Sequence, residues 1–385
     1  MRIVADENIP FVRECFSSIG QVEAVSGRKI TPSLVADADI LLIRSITRVG
    51  QDLLADSKVR FVATATIGFD HVDVDFLRQR KIGFASAPGS NANSAAEYVI
   101  AALLEIGQKH KTKLEDKSIG VIGVGNVGSK VAKKCAAVGM KVKLNDPPLR
   151  RQSGDPKYLS IEELFNCDYI TLHAPLTFDG IDKTYHLADE NFFNLLKTSS
   201  VFINTSRGRV VDSRALKSAI KAGRPKAVVL DVWEDEPNID VELLEMVDIA
   251  TPHIAGYSLD GKIAGMIMIY KAACKYFGLE AKYGLEDFLP EPAVGELRIN
   301  PQGCDEQEVL HSVVQKIYRI SDDDHRLRQM SARLPGKRGE FFDSLRKDYP
   351  VRREFQNTTV VLEVPSKSLS QKLAGIGFKV ANEQK

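Results

Sequence analysis

The chain has 385 residues, 44% apolar and 27% charged, and its 52 basic side chains nearly cancel 51 acidic ones to leave a net charge of +1. That length accommodates two or three domains, and the balanced charge argues against nucleic-acid or membrane-surface binding through bulk electrostatics. Five scattered cysteines (Cys15, Cys135, Cys167, Cys274, Cys304), an acidic rather than apolar amino terminus and the lack of any apolar run near the ~20 residues of a membrane span predict a soluble, cytoplasmic protein with reduced thiols.

Up to Asn93, short apolar strands alternate with helical stretches, the rhythm of βα units. MRIVAD predicts a strand, and PFVRECFSSIG a helix opened by Pro10 and closed by Gly20. ADILLIRS and VRFVATAT are further buried strands that stop at small polar residues. Parallel sheets bind ligands at the carboxyl ends of their strands, which makes Ser45, Thr66 and the Ile67–His71 loop candidate contacts. From Ser94, SAAEYVIAALLEIGQKH predicts a helix apolar nearly all round, and so buried between two layers.

A second βα series follows. SIGVIG, MKVKLND, DYITLHAP, SVFINTS, AVVLDVW and DIATPH read as strands, with SIEELF and SRALKSAIKAG helical between them. The pattern predicts a doubly wound parallel sheet, and a helix over Leu259–Phe277 can return the chain to the first domain. In the tail, DEQEVLHSVVQKIY has apolar residues at helical spacing (Val309, Leu310, Val313, Val314, Ile317), with Asp305 and Glu308 as a capping pair. EFFDSLRKDYPVRREF is a second amphipathic stretch. TTVVLEV reads as a strand with no local partner, which suggests pairing elsewhere, across a subunit boundary.

GVGNVG places Gly123, Gly125 and Gly128 in G-x-G-x-x-G spacing, after a strand and at the opening of a helix. That context fits a loop whose backbone N–H groups cradle a dinucleotide pyrophosphate, the other reading being a glycine turn without ligand. Asp146, eighteen residues after Gly128 at the end of the next strand, can accept from the adenosine ribose and repel a 2′-phosphate, which favours NAD. Arg150 and Arg151 keep NADP open, and a plain turn aspartate before Pro147 is the simpler reading.

Three later strand ends carry chemistry-bearing side chains. Arg207 follows FINTS, Glu236 sits in DVWEDEP five residues after Asp231, and His253 sits in ATPHIAG. An arginine fork can clamp a substrate carboxylate, and a histidine can take a hydroxyl proton while hydride leaves the same carbon. Glu236 could hold the imidazole tautomer, and Asp231 could accept from a nicotinamide carboxamide. Each has a plainer reading: Arg207 paired with Asp212, Glu236 in a solvated acidic run, His253 a satisfied loop histidine.

The blocks GVGNVG, NTSRGRVVD, DVWEDEP and TPHIAG resemble the signatures of the D-isomer-specific 2-hydroxyacid dehydrogenases. The resemblance implies an α/β fold of two Rossmann-like doubly wound parallel-sheet domains. A NAD-binding domain (94–256) would be inserted in a substrate-binding domain (1–93 and 257–284), with Arg207, Glu236 and His253 catalytic and no metal. Further stretches, LLIRSITRV, ATATIGFDHVD, SAPGSNANSAAEYV, NDPPLR and the tail's FFDSLRKDYPVRREF, resemble members that act on a small phosphorylated 2-hydroxy acid. In those members the tail, here 285–385, is an α+β dimerisation domain, which implies a homodimer. By the same resemblance Ser45, Thr66 and Tyr257 touch substrate. Asp146, Ala174, Thr205, Ser206, Asp231 and Gly256, with the Gly123–Gly128 loop including Asn126 and Val127, touch NAD. Ala174 stands where the family often has threonine. Candidate phosphate ligands are Ser45, Tyr257 and Arg44, with Arg352 or Arg353 of a partner subunit more remote. A related dehydrogenase acting on 3-phosphoglycerate and a non-catalytic NAD-sensing module stay open as alternatives.

Overall fold

Two large parallel sheets organise the chain, each within its own compact unit. The computed structural model describes residues 1–382. The first unit comprises Met1–Asn91 and Ser258–Glu291, the second Ala92–Tyr257 and Pro292–Lys385.

In the first unit, β1 (Arg2–Asp6), β2 (Gln21–Val25), β3 (Ile40–Ile43), β4 (Phe61–Thr64) and β5 (Gly83–Ala85) lie in the order β2-β1-β3-β4-β5, all pairs parallel. β3 and β4 are buried along their whole length, as befits strands apolar but for Thr64 and covered on both faces. The alternation of side chains splits them between two cores. Ile3, Ala5, Ile40 and Phe61 face the Leu259–Phe277 helix through Ile263, Met266 and Tyr270, while Val4, Leu41, Ile43 and Val62 face Val35 and Leu54. The helix expected after Pro10 is only Val12–Phe16. Ser17 and Ser18 turn their hydroxyls onto the carbonyls of Glu14 and Cys15, the local competition that ends helices at serine.

In the second unit, β6 (Ser118–Ile122), β7 (Lys141–Asn145), β8 (Tyr169–Leu172), β9 (Val201–Asn204), β10 (Ala227–Leu230) and β11 (Ile249–Ala250) lie in the order β11-β10-β9-β8-β6-β7, again parallel throughout. The chain steps outward from β6 in both directions, so the gap between the carboxyl ends of β6 and β8 is a topological switch point, where such sheets bind ligands. The long apolar helix spans Ala92–Lys109. It is apolar all round because it shares a core with Val131 and Cys135 of the Asn126–Ala137 helix and with Val309, Leu310, Val313 and Val314 of Glu306–Ile317. Asp305 caps the latter helix, its Oδ1 accepting from the Gln307 N–H at 3.0 Å.

The tail corrects one expectation. TTVVLEV does not await another subunit: β13 (Thr359–Leu362) is the middle strand of a three-stranded parallel sheet, between β12 (Glu296–Ile299) and β14 (Lys379–Asn382). Parallel partners need long crossovers, so neither neighbour is close in sequence. Both edge strands are short and partly polar and give little strand signal. Arg352 is likewise committed within its own chain, donating to the Ala255 carbonyl at 2.6 Å beneath the Tyr318 ring, and Arg353 donates to Asn357 at 2.8 Å. Among the described residues no helix is long and apolar enough to cross a membrane, and no His/Cys/Asp/Glu cluster could hold a metal.

Candidate active site

The glycine loop lies at the switch point. Gly123, directly after β6, has φ +85°, and a Cβ there would stand 2.6 Å from the nitrogen of Ala174, two residues past the end of β8. A Cβ at Gly128 would collide with the Gly123 carbonyl at 1.9 Å, whereas one at Gly125 would meet nothing within 4 Å. Strand and helix therefore close tightly, while the middle glycine opens the backbone at the helix amino end to an anion. Asn126 and Val127 form the first turn of that helix. Asp146 ends β7 and braces the loop: its Oδ2 accepts from Val124 N–H at 2.8 Å and its Oδ1 caps the Pro147–Ser153 helix through Leu149 N–H. Each oxygen keeps a lone pair for a ribose hydroxyl.

Arg207, Glu236 and His253 follow β9, β10 and β11, three adjacent strands that at roughly 5 Å spacing start their loops within about 10 Å of one another. The glycine after Arg207 explains how two of these loops meet. A Cβ at Gly208 would lie 1.8 Å from the Trp233 carbonyl, so only glycine lets the Arg207 segment pass the Trp233–Glu236 turn. Arg207 itself donates to the Ser206 carbonyl at 2.8 Å and its own carbonyl accepts from Asn204. Asp212 caps the amino end of the Ser213–Lys221 helix by accepting from Arg214 and Ala215.

The acidic run divides its labour. Glu234 accepts from His186 and from the Ser213 N–H, Asp235 pairs with Arg209, and Glu236 alone turns to His253. The His253 Nδ1 donates to Glu236 Oε2 at 2.7 Å, and Glu236 Oε1 accepts from Trp233 N–H at 2.8 Å. This fixes one tautomer and leaves Nε2 as the nitrogen available for proton transfer. Burial works against the Glu236 charge, but the adjacent His253 and Arg346 and the hydrogen bonds outweigh it and hold the carboxyl below its usual range.

Asp231 organises the loop that carries the histidine. Its buried carboxylate accepts from Thr251 Oγ1 (2.7 Å), Ile254 N–H (2.7 Å) and Ala255 N–H (3.0 Å), and its carbonyl accepts from His253 N–H at 2.7 Å. Tyr98, buried in the long helix, donates to Thr251 at 2.7 Å, and Trp233 Nε1 donates to the Thr251 carbonyl. Ser206 is buried on Asn204, and Gly256 and Tyr257 continue the same loop. In the first unit Ser45 is exposed after β3, and Thr66 receives a hydroxyl bond from Thr64 at 2.6 Å and passes one to the Gly68 carbonyl.

Sequence reasoning missed three contributors. His173, between β8 and Ala174, bridges the hydroxyls of Thr171 and Thr205, and burial pushes its pKa down to about 3, so it stays neutral. Its place at a strand mouth was a usable signal. Tyr98 and Arg346 gave none, being a core position of one helix and a charged position of a tail helix.

Residues 95–255 match the family described as D-isomer specific 2-hydroxyacid dehydrogenase, NAD binding domain, and residues 288–377 match a domain of unknown function. Curated erythronate-4-phosphate dehydrogenases of Proteus mirabilis (42% identity, 100% of both chains) and Marinobacter nauticus (44% identity, 99% of this chain and 100% of the relative) align from end to end. The chain belongs to the erythronate-4-phosphate dehydrogenases. It therefore falls within the D-isomer-specific 2-hydroxyacid dehydrogenase family, and its cofactor is NAD, which the glycine loop and Asp146 fit. Among solved structures, the NAD⁺-bound 3-phosphoglycerate dehydrogenase of Entamoeba histolytica is 26% identical with a TM-score of 0.61, covering 75% of this chain and 99% of that one. The D-lactate dehydrogenase of Aquifex aeolicus, complexed with NAD and lactic acid, is 25% identical with a TM-score of 0.59, covering 72% and 96%.

Proposed function

We propose that the protein oxidises 4-phospho-D-erythronate with NAD to 2-oxo-3-hydroxy-4-phosphobutanoate, a step of pyridoxal 5′-phosphate biosynthesis. The observation that carries this reading is full-length similarity, tail included, to curated erythronate-4-phosphate dehydrogenases at 40–44% identity. The 3-phosphoglycerate dehydrogenase, by contrast, is spanned almost completely by three quarters of this chain.

The residues divide the chemistry as follows. Arg207 holds the substrate carboxylate through two parallel hydrogen bonds, which orients C2. His253 takes the C2 hydroxyl proton on Nε2 as the C2–H bond breaks, and Glu236 stabilises the imidazolium that results. Bound NAD supplies the hydride acceptor. Ser45, Thr66 and Tyr257 bind the rest of the substrate. Asp146 receives the ribose hydroxyls; Thr205, Ser206, Asp231, Gly256 and the Ala174 backbone complete the cofactor's surroundings. The tail serves a homodimer, and the free cysteines suit a reducing cytoplasm.

An NADH absorbance assay with phosphoerythronate, erythronate, 3-phosphoglycerate and D-lactate tests the reading. Phosphoerythronate should give the highest kcat/KM; a preference for 3-phosphoglycerate would overturn the assignment.

A further inference from the structure

The tail places one more cation at the catalytic loop. The Arg338–Lys347 helix docks on the segment that follows Glu236 at two points. A Cβ at Gly339 would stand 2.7 Å from the Asn238 side-chain oxygen, and Phe342, fully buried, joins the core of Trp233 and Ile239. Arg346 follows Phe342 by four residues and so shares its inward face. Its guanidinium carbon lies 5.7 Å from the centre of the Tyr257 ring, which also meets Tyr349 edge-on at 5.7 Å.

Two features distinguish Arg346 from a packing residue. The first is an unmet donor: among the described residues its buried Nε–H has no hydrogen-bond partner, and an orphaned buried donor is destabilising unless something else accepts from it. The second is its charge, held at the catalytic loop near the carboxylates of Glu236 and Asp343 and bonded to the Tyr257 side chain. The nearby carboxylate, Glu236, already has both oxygens engaged, one by His253 and one by Trp233, yet Arg346 is close enough to stabilise its charge. An arginine kept half-buried beside a tyrosine, with its Nε–H still unmatched, has the chemistry of a phosphate ligand.

We propose that Arg346, together with the Tyr257 hydroxyl, binds the terminal phosphate of the substrate and so sets the preference for a phosphorylated over an unphosphorylated 2-hydroxy acid. The assignment rests on the substrate reading above. It divides the two anions of the substrate between two arginines, Arg207 for the carboxylate and Arg346 for the phosphate. It also gives the 288–377 segment, which carries Arg346, a part in recognition.

The test compares the NAD-loaded full-length enzyme with Arg346→Ala and Arg346→Lys, using phosphoerythronate and erythronate. Losing a charge-assisted phosphate contact should lower kcat/KM for phosphoerythronate roughly 10- to 100-fold more than for erythronate, chiefly through KM. The lysine variant should recover part of the preference. Equal losses on both substrates would overturn the proposal and leave Arg346 a positioning residue acting through Glu236. Calorimetric titration with inorganic phosphate gives a readout independent of turnover: affinity should fall in both variants, and unchanged affinity would overturn the proposal. If the wild type ignores phosphoerythronate but its phosphate site weakens with Arg346, the substrate reading fails and the anion site stands. Should the alanine variant not fold, the lysine variant decides by the same ratio and titration.

Discussion

His253 is held in a left-handed backbone conformation, φ +58°, that a side chain of its size rarely adopts and that costs on the order of 1–3 kcal/mol. Asp231 keeps it there by binding the backbone on both sides of the loop. The strain aims the ring so that Nδ1 meets Glu236 and Nε2 is left for chemistry. Replacing His253 with alanine should lower kcat roughly 10²–10⁴-fold with NAD affinity retained, measured by steady-state rates and cofactor titration; near-normal turnover at neutral pH would remove it from the reaction. Glu236→Gln makes a subtler claim. Because its carboxyl is held below the usual range, Glu236 is ionised throughout neutral pH. A carboxylate stabilises the imidazolium that forms as the proton is taken, and a neutral amide does not. The plateau of kcat should therefore fall roughly 10-fold or more in steady-state rates. A plateau that does not fall would mean that the Glu236–His253 contact is not maintained during turnover.

At the scale of elements, the Ala92–Lys109 helix joins the nucleotide-binding helix to the tail through buried polar groups. Glu97 Oε1 lies 3.8 Å from Lys134 Nζ, which donates to the Ile376 carbonyl at 2.5 Å. Asn93 bridges Glu97 and Glu354, Ser94 donates to Glu354 at 2.6 Å, and the Phe355 N–H donates to Glu97. Burial, opposed by Lys134, pushes the Glu97 carboxyl up to about 8. Removing one partner strands the other in the interior. Above about pH 8, where Glu97 is ionised in the intact network, Lys134→Met alone should thus destabilise the protein by about 3–5 kcal/mol in urea unfolding, and Glu97→Gln combined with it should recover much of the loss. Simple additivity of the two substitutions would show that they do not interact. None of this network was legible beforehand. An acid at one helix position and a lysine far along the chain carry no mark of contact, whereas the helix observed at Leu259–Phe277 was read at about those bounds because its apolar pattern is local.

For the whole molecule, legibility followed the range of the interactions. The two parallel sheets could be read from buried apolar strands alternating with helices, and so could the placing of Arg207, Glu236 and His253 past strand ends, which the strand order makes neighbours. The tail could be read only in part: its Glu306–Ile317 helix and the TTVVLEV strand carry local signals, but its sheet joins strands separated by long crossovers, and its contribution to the core is a matter of tertiary packing. Val309, Leu310, Val313, Val314, Phe355, Leu369 and Leu373 belong to one hydrophobic core with Tyr98, Val99 and Leu103 of the long helix. At about 1.5–3 kcal/mol for each large apolar side chain buried, that shared surface is comparable to the whole stability of a typical domain, roughly 5–15 kcal/mol. A chain ending at Glu291 should therefore fail to fold its second unit, binding a hydrophobic dye and losing NAD affinity as well as activity, because the Ala92–Lys109 helix would expose its apolar core positions and leave the buried Glu97 without its tail partner. A soluble 1–291 fragment that binds NAD with full affinity would instead make the tail a detachable module, and its contacts with the long helix dispensable to the nucleotide fold.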